Sequence, residues 1–177
     1  MQTVAIIGAG PLGRWLALAS ARAGYSVRLE DVMPRNLHHA RETLRAELGP
    51  EALPAVVFVR TIEDAVRDAD LAIDCVPDEL ESKLEIFCLL DRMAPPRTIL
   101  ATPTTRLSIA DLASCTYRAD KCIAIATEAS ALTDGGADSD LVLRAGPLTT
   151  PETVAAVEEF WRRLGFAARF EPDRAIV

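Results

Sequence analysis

The chain has 177 residues, 50% hydrophobic and 25% charged, the balance of an ordinary globular protein with enough length for one well-filled core. Lys and Arg number 19 against 26 Asp and Glu, a net charge of −7 that lacks the basic footprint of a nucleic-acid binder, and there is no polybasic stretch for a membrane surface. No apolar run approaches the roughly 20 residues of a membrane span. The N-terminus passes straight into Thr3-Val4-Ala5-Ile6-Ile7 without a basic region or cleavage site, which points to a cytoplasmic protein.

Taken in chain order, apolar bursts of strand length alternate with helical patterns. A strand over 4–7 leads to a helix over 11–23 that Gly24 terminates. A strand over 26–30 is followed by an amphipathic helix over 35–48, stopped by Gly49-Pro50. A strand over 55–59 precedes a short helix capped by Thr61, and a fourth strand spans 71–75. A helix over 78–93 opens with Asp78, Glu79 and Glu81, acids that the helix dipole favours there. Strands over 98–101 and 123–126 flank a short helix near 108–113. Gly and Asp dominate 130–140, which reads as a loop, and 141–144 reads as a strand. Thr149, Pro151 and Glu152 form the opening of a helix that runs to Leu164, with a last strand over 167–170. Such alternation predicts one α/β domain over 1–177, a doubly wound, mainly parallel sheet with helices on both faces.

Cys75, Cys88, Cys115 and Cys122 form no CxxC pair, and the adjacent His38 and His39 point about 100° apart on a helix, so no metal site is expected. The cysteines read as core thiols of a reducing compartment.

The chemistry lies in Gly8-Ala9-Gly10-Pro11-Leu12-Gly13, a GxGxxG placed between the first strand and first helix, with Asp31 following Gly13 by 18 residues at the end of the second strand. Gly8 permits the tight turn, Gly10 lets the backbone approach a pyrophosphate, Gly13 lets the helix pack closely, and free N–H groups at the helix start meet the phosphate charge. Asp31 accepts from the ribose hydroxyls of an adenosine and repels a 2′-phosphate, which favours NAD over NADP. Glu30 is the competing acid, aimed at the opposite side of its strand. Arg14 and Arg35 either flank phosphates or are solvated, and Trp15 reads as packing. The motif in this setting predicts a Rossmann-type dinucleotide-binding domain.

With the motif placed, the chain resembles the NAD-binding domain of the 3-hydroxyacyl-CoA dehydrogenases from Val4 onward. The resemblance is carried by residues 4–13, Ala69-Asp70-Leu71-Ala72-Ile73-Asp74, Leu80-Glu81-Ser82-Lys83, Thr98-Ile99-Leu100-Ala101-Thr102 and Gly146-Pro147-Leu148-Thr149. It implies that Asp78 stands near the nicotinamide-side ribose, that Lys83 helps hold the cofactor, and that Thr105 takes the place of a serine beside the substrate oxygen. It also implies departures. The family's general-base histidine falls on Ala126, its next asparagine on Ala129, the asparagine near the nicotinamide on Pro103, and the acid orienting the histidine on Val142. The helical arm that touches coenzyme A is shortened, and the family's helical C-terminal domain would begin where this sequence stops, at Val177. Without that second domain, apolar surface is expected at the carboxyl end of the sheet, for a second copy or a separate helical-domain chain to cover.

Two function classes follow from the residues. One is a dinucleotide-binding module without a catalytic base. The other is an oxidoreductase using an unconventional acid, for which Glu128, Asp134, Asp138 and Asp140 are the candidates, or one completed by a partner chain.

Overall fold

The computed structural model describes residues 1–135 and 141–174. Eight strands form one sheet: β1 (Thr3–Ile7), β2 (Ser26–Glu30), β3 (Val56–Val59), β4 (Leu71–Asp74), β5 (Ile99–Pro103), β6 (Cys122–Ile125), β7 (Leu141–Ala145) and β8 (Ala168–Pro172). Their order is β3-β2-β1-β4-β5-β6-β7-β8. The first six run parallel; β7 pairs antiparallel with β6, and β8 returns parallel to β7. The doubly wound sheet expected from the alternation is present, with this inversion at one side as the part that alternation did not reveal.

The helices are α1 (Pro11–Arg22), α2 (Pro34–Ala52), α3 (Ile62–Val66), α4 (Leu80–Met93), α5 (Ile109–Ala113), α6 (Ala129–Gly135) and α7 (Pro151–Arg163). Alternation along the strands divides the core in two. Val4 and Ile6 of β1 face α1, α2 and α7, whereas Ala5 and Ile7 face α3, α4 and α5. On the first side Trp15 of α1 stacks on Trp161 of α7 with ring centroids 6.5 Å apart, and both meet Phe166 edge-on. Trp15 is therefore a packing residue.

Three local expectations change. Residues 130–135 belong to α6 rather than to a loop, because Leu132 is buried in the core and gives the segment an apolar anchor that its Gly- and Asp-rich composition conceals. The helix expected from Asp78 begins at Leu80; Glu79 is its cap residue and donates to the Pro77 carbonyl in a turn, so Asp78 stands outside the helix. The cap of α7 is Thr150, whose hydroxyl accepts from the Thr153 N–H. Thr149 instead donates to the Cys122 carbonyl at 2.7 Å and accepts from the Gly146 N–H, tying the loop to β6. The stop expected at Gly49-Pro50 is present as a break: Gly49 takes φ 73° and interrupts α2, and Pro50 opens the short turn that follows it.

Candidate functional site

The carboxyl ends of β1, β2, β4, β5 and β6 converge where the glycine turn crosses the sheet. Gly8 adopts φ 103°, open to glycine and strained for other residues, and its N–H donates to the Glu30 carbonyl at 2.8 Å. A Cβ on Gly13 would lie 1.8 Å from the Gly8 carbonyl oxygen, so the helix start closes on the turn itself, more tightly than on the strands. Gly10 differs from both. It has an extended backbone that any residue adopts (φ −68°, ψ −173°), and a Cβ there would meet nothing within 4 Å. Pro11 opens α1, where its missing N–H costs nothing.

Asp31 is buried at the end of β2. Its Oδ2 accepts from the Ala9 N–H at 3.0 Å and its Oδ1 from the Met33 N–H at 2.8 Å. Asn36, on the first turn of α2, donates from Nδ2 to both oxygens at 3.2 and 3.1 Å. This amide, which sequence reasoning missed, already engages both oxygens of the carboxylate that a ribose diol would need. A diol would take the amide's place or share the carboxylate with it. Arg14 donates to the Ala9 carbonyl at 3.0 Å and so braces the turn, while Arg35 is exposed.

On the other side of the turn a pocket of about 210 Å³ is lined by Leu12, Asp78, Pro103, Thr105, Glu128 and Ala129, among others. Leu12 thus borders the groove. Asp78 Oδ1 is buried and without a hydrogen-bond partner, while its Oδ2 lies 3.7 Å from Arg106 Nε and its carbonyl accepts from the same guanidinium. A hydroxyl donor would satisfy the orphaned oxygen, so the residues present fit a dinucleotide's second ribose. Thr105 Oγ1 donates to Glu128 Oε1 at 2.9 Å. It does not cap α5; Ser108 does that.

Lys83 lies beneath this pocket rather than in it. It is fully buried, and Nζ donates to Asp74 Oδ2 (3.2 Å), the Val76 carbonyl (3.2 Å) and Thr102 Oγ1 (3.0 Å), which exhausts its three donors. Burial pushes the Asp74 carboxyl above its usual range, against the pull of Lys83. Sequence spacing does not bring these three together; the fold does, by ending β4 and β5 side by side.

At position 126 there is a methyl group. The Ala126 N–H donates to the Val142 carbonyl at 2.7 Å, and Val142 offers an apolar side chain where the resemblance implied an orienting acid. Of the other candidate acids, Glu128 lines the pocket and Asp134 lies beside α1 with Arg14 and Trp15. Asp138 and Asp140 lie outside the described residues. Burial pushes the Cys75 thiol up strongly and that of Cys122 up to about 12, so neither is a poised nucleophile. Among the described residues no group of His, Cys, Asp and Glu could hold a metal ion.

A crossing of this kind, with an acid closing β2, defines a dehydrogenase-type dinucleotide-binding domain. Residues 3–126 match the model of the 3-hydroxyacyl-CoA dehydrogenase NAD-binding domain, and the chain belongs to that family. It is 30% identical over 136 residues to the probable 3-hydroxybutyryl-CoA dehydrogenase of Bacillus subtilis, covering 70% of this chain and 47% of that protein. It is also 30% identical over 176 residues to the 5-formyl-3-hydroxy-2-methylpyridine 4-carboxylate 5-dehydrogenase of Mesorhizobium japonicum, covering 93% of this chain and 55% of that one. The chain thus spans about half the length of these curated relatives. Among solved structures, an (S)-3-hydroxybutyryl-CoA dehydrogenase from Ralstonia eutropha superposes with TM-score 0.88 over 98% of this chain and 64% of its own, at 24% identity, a likeness of fold. A structure of the 5-formyl-3-hydroxy-2-methylpyridine 4-carboxylic acid 5-dehydrogenase, titled an NAD+-dependent dismutase, gives 0.84 at 28% identity, covering 98% of this chain and 59% of that one.

Proposed function

We propose that this chain binds NAD(H) across the glycine turn and does not itself oxidise 3-hydroxyacyl-CoA. Gly10 carries the binding reading. Gly8 and Gly13 each have a reason inside the protein to lack a side chain, whereas Gly10 has none, and an incoming pyrophosphate at the α1 N-terminus supplies one. The adenosine ribose then meets Asp31, with Asn36 beside it, and the nicotinamide-side ribose meets the orphaned Oδ1 of Asp78. Lys83 supports the floor beneath. When bound, NAD supplies the hydride acceptor. In calorimetric titrations NAD(H) is expected to bind and NADP(H) to bind about 100-fold more weakly or worse, because a 2′-phosphate would face the Asp31 carboxylate. Equal affinities would remove Asp31 from this role.

The absence of hydroxyacyl-CoA turnover rests on Ala126, which cannot take the hydroxyl proton as hydride leaves. A positioned base is worth about 10²–10⁴-fold. We expect no NADH formation from 3-hydroxybutyryl-CoA above the protein-free rate. Ala126→His alone should restore little, since Val142 gives an imidazole no carboxylate to fix its tautomer, and should leave NAD affinity nearly unchanged. Substantial turnover by either protein would refute this reading.

A second reading is favoured by the 2.9 Å contact between Thr105 and Glu128 in the pocket. This hydroxyl–carboxylate pair is a candidate proton acceptor for an alcohol other than an acyl-CoA. The four free thiols and the absence, among the described residues, of a helix long and apolar enough to cross a membrane support a cytoplasmic setting. Val32, Met33 and Leu80 expose apolar surface near the site, which supports a covering partner, either a second copy or a helical-domain chain.

A further inference from the structure

We propose that Glu30 reads the base of the dinucleotide, its carboxylate accepting a hydrogen bond from the exocyclic amino group of adenine. This rests on the NAD-binding reading above. A slot of about 220 Å³ adjoins Asp31 and Gly8 on the side of the sheet covered by α3 and α4. A base attached to a ribose held by Asp31 lies one glycosidic bond from that slot. Its apolar lining comes from Val32, Ile62, Val76 and Ile86, surfaces suited to the faces of a purine. Glu30 and Asp31 are its two titratable lining residues; β1, α3, α4 and the segment after β4 contribute only Ile7, Gly8, Ile62, Ile86 and Val76. Asp31 is already engaged by Ala9, Met33 and Asn36.

Glu30 is only 6% exposed, and no described residue donates to its carboxyl. Burial first, and the Asp31 charge second, push it up to about 7. Its carboxyl faces the slot among apolar side chains and beside a second acid, an unfavourable place that a donor entering from outside the chain would relieve. The edge of adenine carries the amino donor that the slot lacks.

The titration of Glu30 makes the reading testable. Ionised, it only accepts, so it favours the amino group of adenine and opposes the carbonyl oxygen of hypoxanthine. Protonated, it can donate to that oxygen. The wild type is therefore expected to prefer NAD over nicotinamide hypoxanthine dinucleotide by about tenfold at about pH 8, and by much less at about pH 5.5. Glu30→Gln, whose amide can turn to donate or accept, should bind both dinucleotides alike at either pH, and Glu30→Leu should also lose the preference. Thermal melts confirm that each variant is folded. If NAD binds but its preference is the same in wild type, Glu30→Gln and Glu30→Leu, the inference is overturned and the NAD reading stands. If neither dinucleotide binds the wild type, both fall.

Discussion

Lys83→Met is expected to lower the unfolding free energy by about 3–5 kcal/mol at neutral pH, because it strands the Asp74 carboxylate in the core. For a chain of this length that is a fall in Tm on the order of 10 °C. Asp74 already sits above its unfolded value, and without Lys83 it rises further. The folded state then holds a proton that the unfolded state releases, so the stability of the variant declines as pH rises past the ordinary carboxylate range. The deficit relative to wild type should therefore shrink as pH falls through the ordinary carboxylate value to about 3, where Asp74 is protonated in the unfolded state as well. Pairing Lys83→Met with Asp74→Asn removes the stranded charge and should recover part of the loss. Denaturant unfolding at two pH values, with NAD titrations beside it, checks both claims. A loss below about 1 kcal/mol accompanied by a large fall in NAD affinity would place the ammonium in the cofactor groove instead.

Gly13→Ala and Gly10→Val should fail in different ways. One methyl group on Gly13 would overlap the Gly8 carbonyl at 1.8 Å, and the turn must open to admit it. We expect a loss of about 3 kcal/mol or more, with NAD binding lost as a consequence. The larger change at Gly10 meets only open space and an extended backbone, so stability should stay within about 1 kcal/mol of wild type. Its isopropyl group occupies the pyrophosphate's approach, and NAD affinity should fall about 100-fold or more. Thermal melts and calorimetry on the two variants separate fold from function. A Gly10→Val protein that binds NAD normally would leave that glycine unexplained.

The glycine turn, Asp31 and most strands were readable because each is a local matter: a period, a cap, or a fixed spacing between an acid and a helix start. Asp78 was readable as a candidate, although its place before α4 rather than within it depends on the turn that Glu79 makes with Pro77. The burial of Lys83 was not readable. A lysine on an amphipathic helix ordinarily reaches solvent, and its partners Asp74 and Thr102 meet it only once β4 and β5 lie together. Thr149 and Thr150 are chemically equivalent as caps, and the choice between them was made by the Cys122 carbonyl on another strand. Asn36 carried no periodic signal at all; it matters because the start of α2 turns it back onto Asp31.

The stacked indoles have an optical consequence. Trp15 and Trp161 are the chain's two tryptophans, and they sit in one cluster at the helix that opens on the glycine turn. Emission on indole excitation therefore comes from one place in the molecule, on the helix whose start would meet the dinucleotide. If reduced nicotinamide binds within energy-transfer range of that cluster, its binding can be followed on the unlabelled chain by the light that its own core gives up.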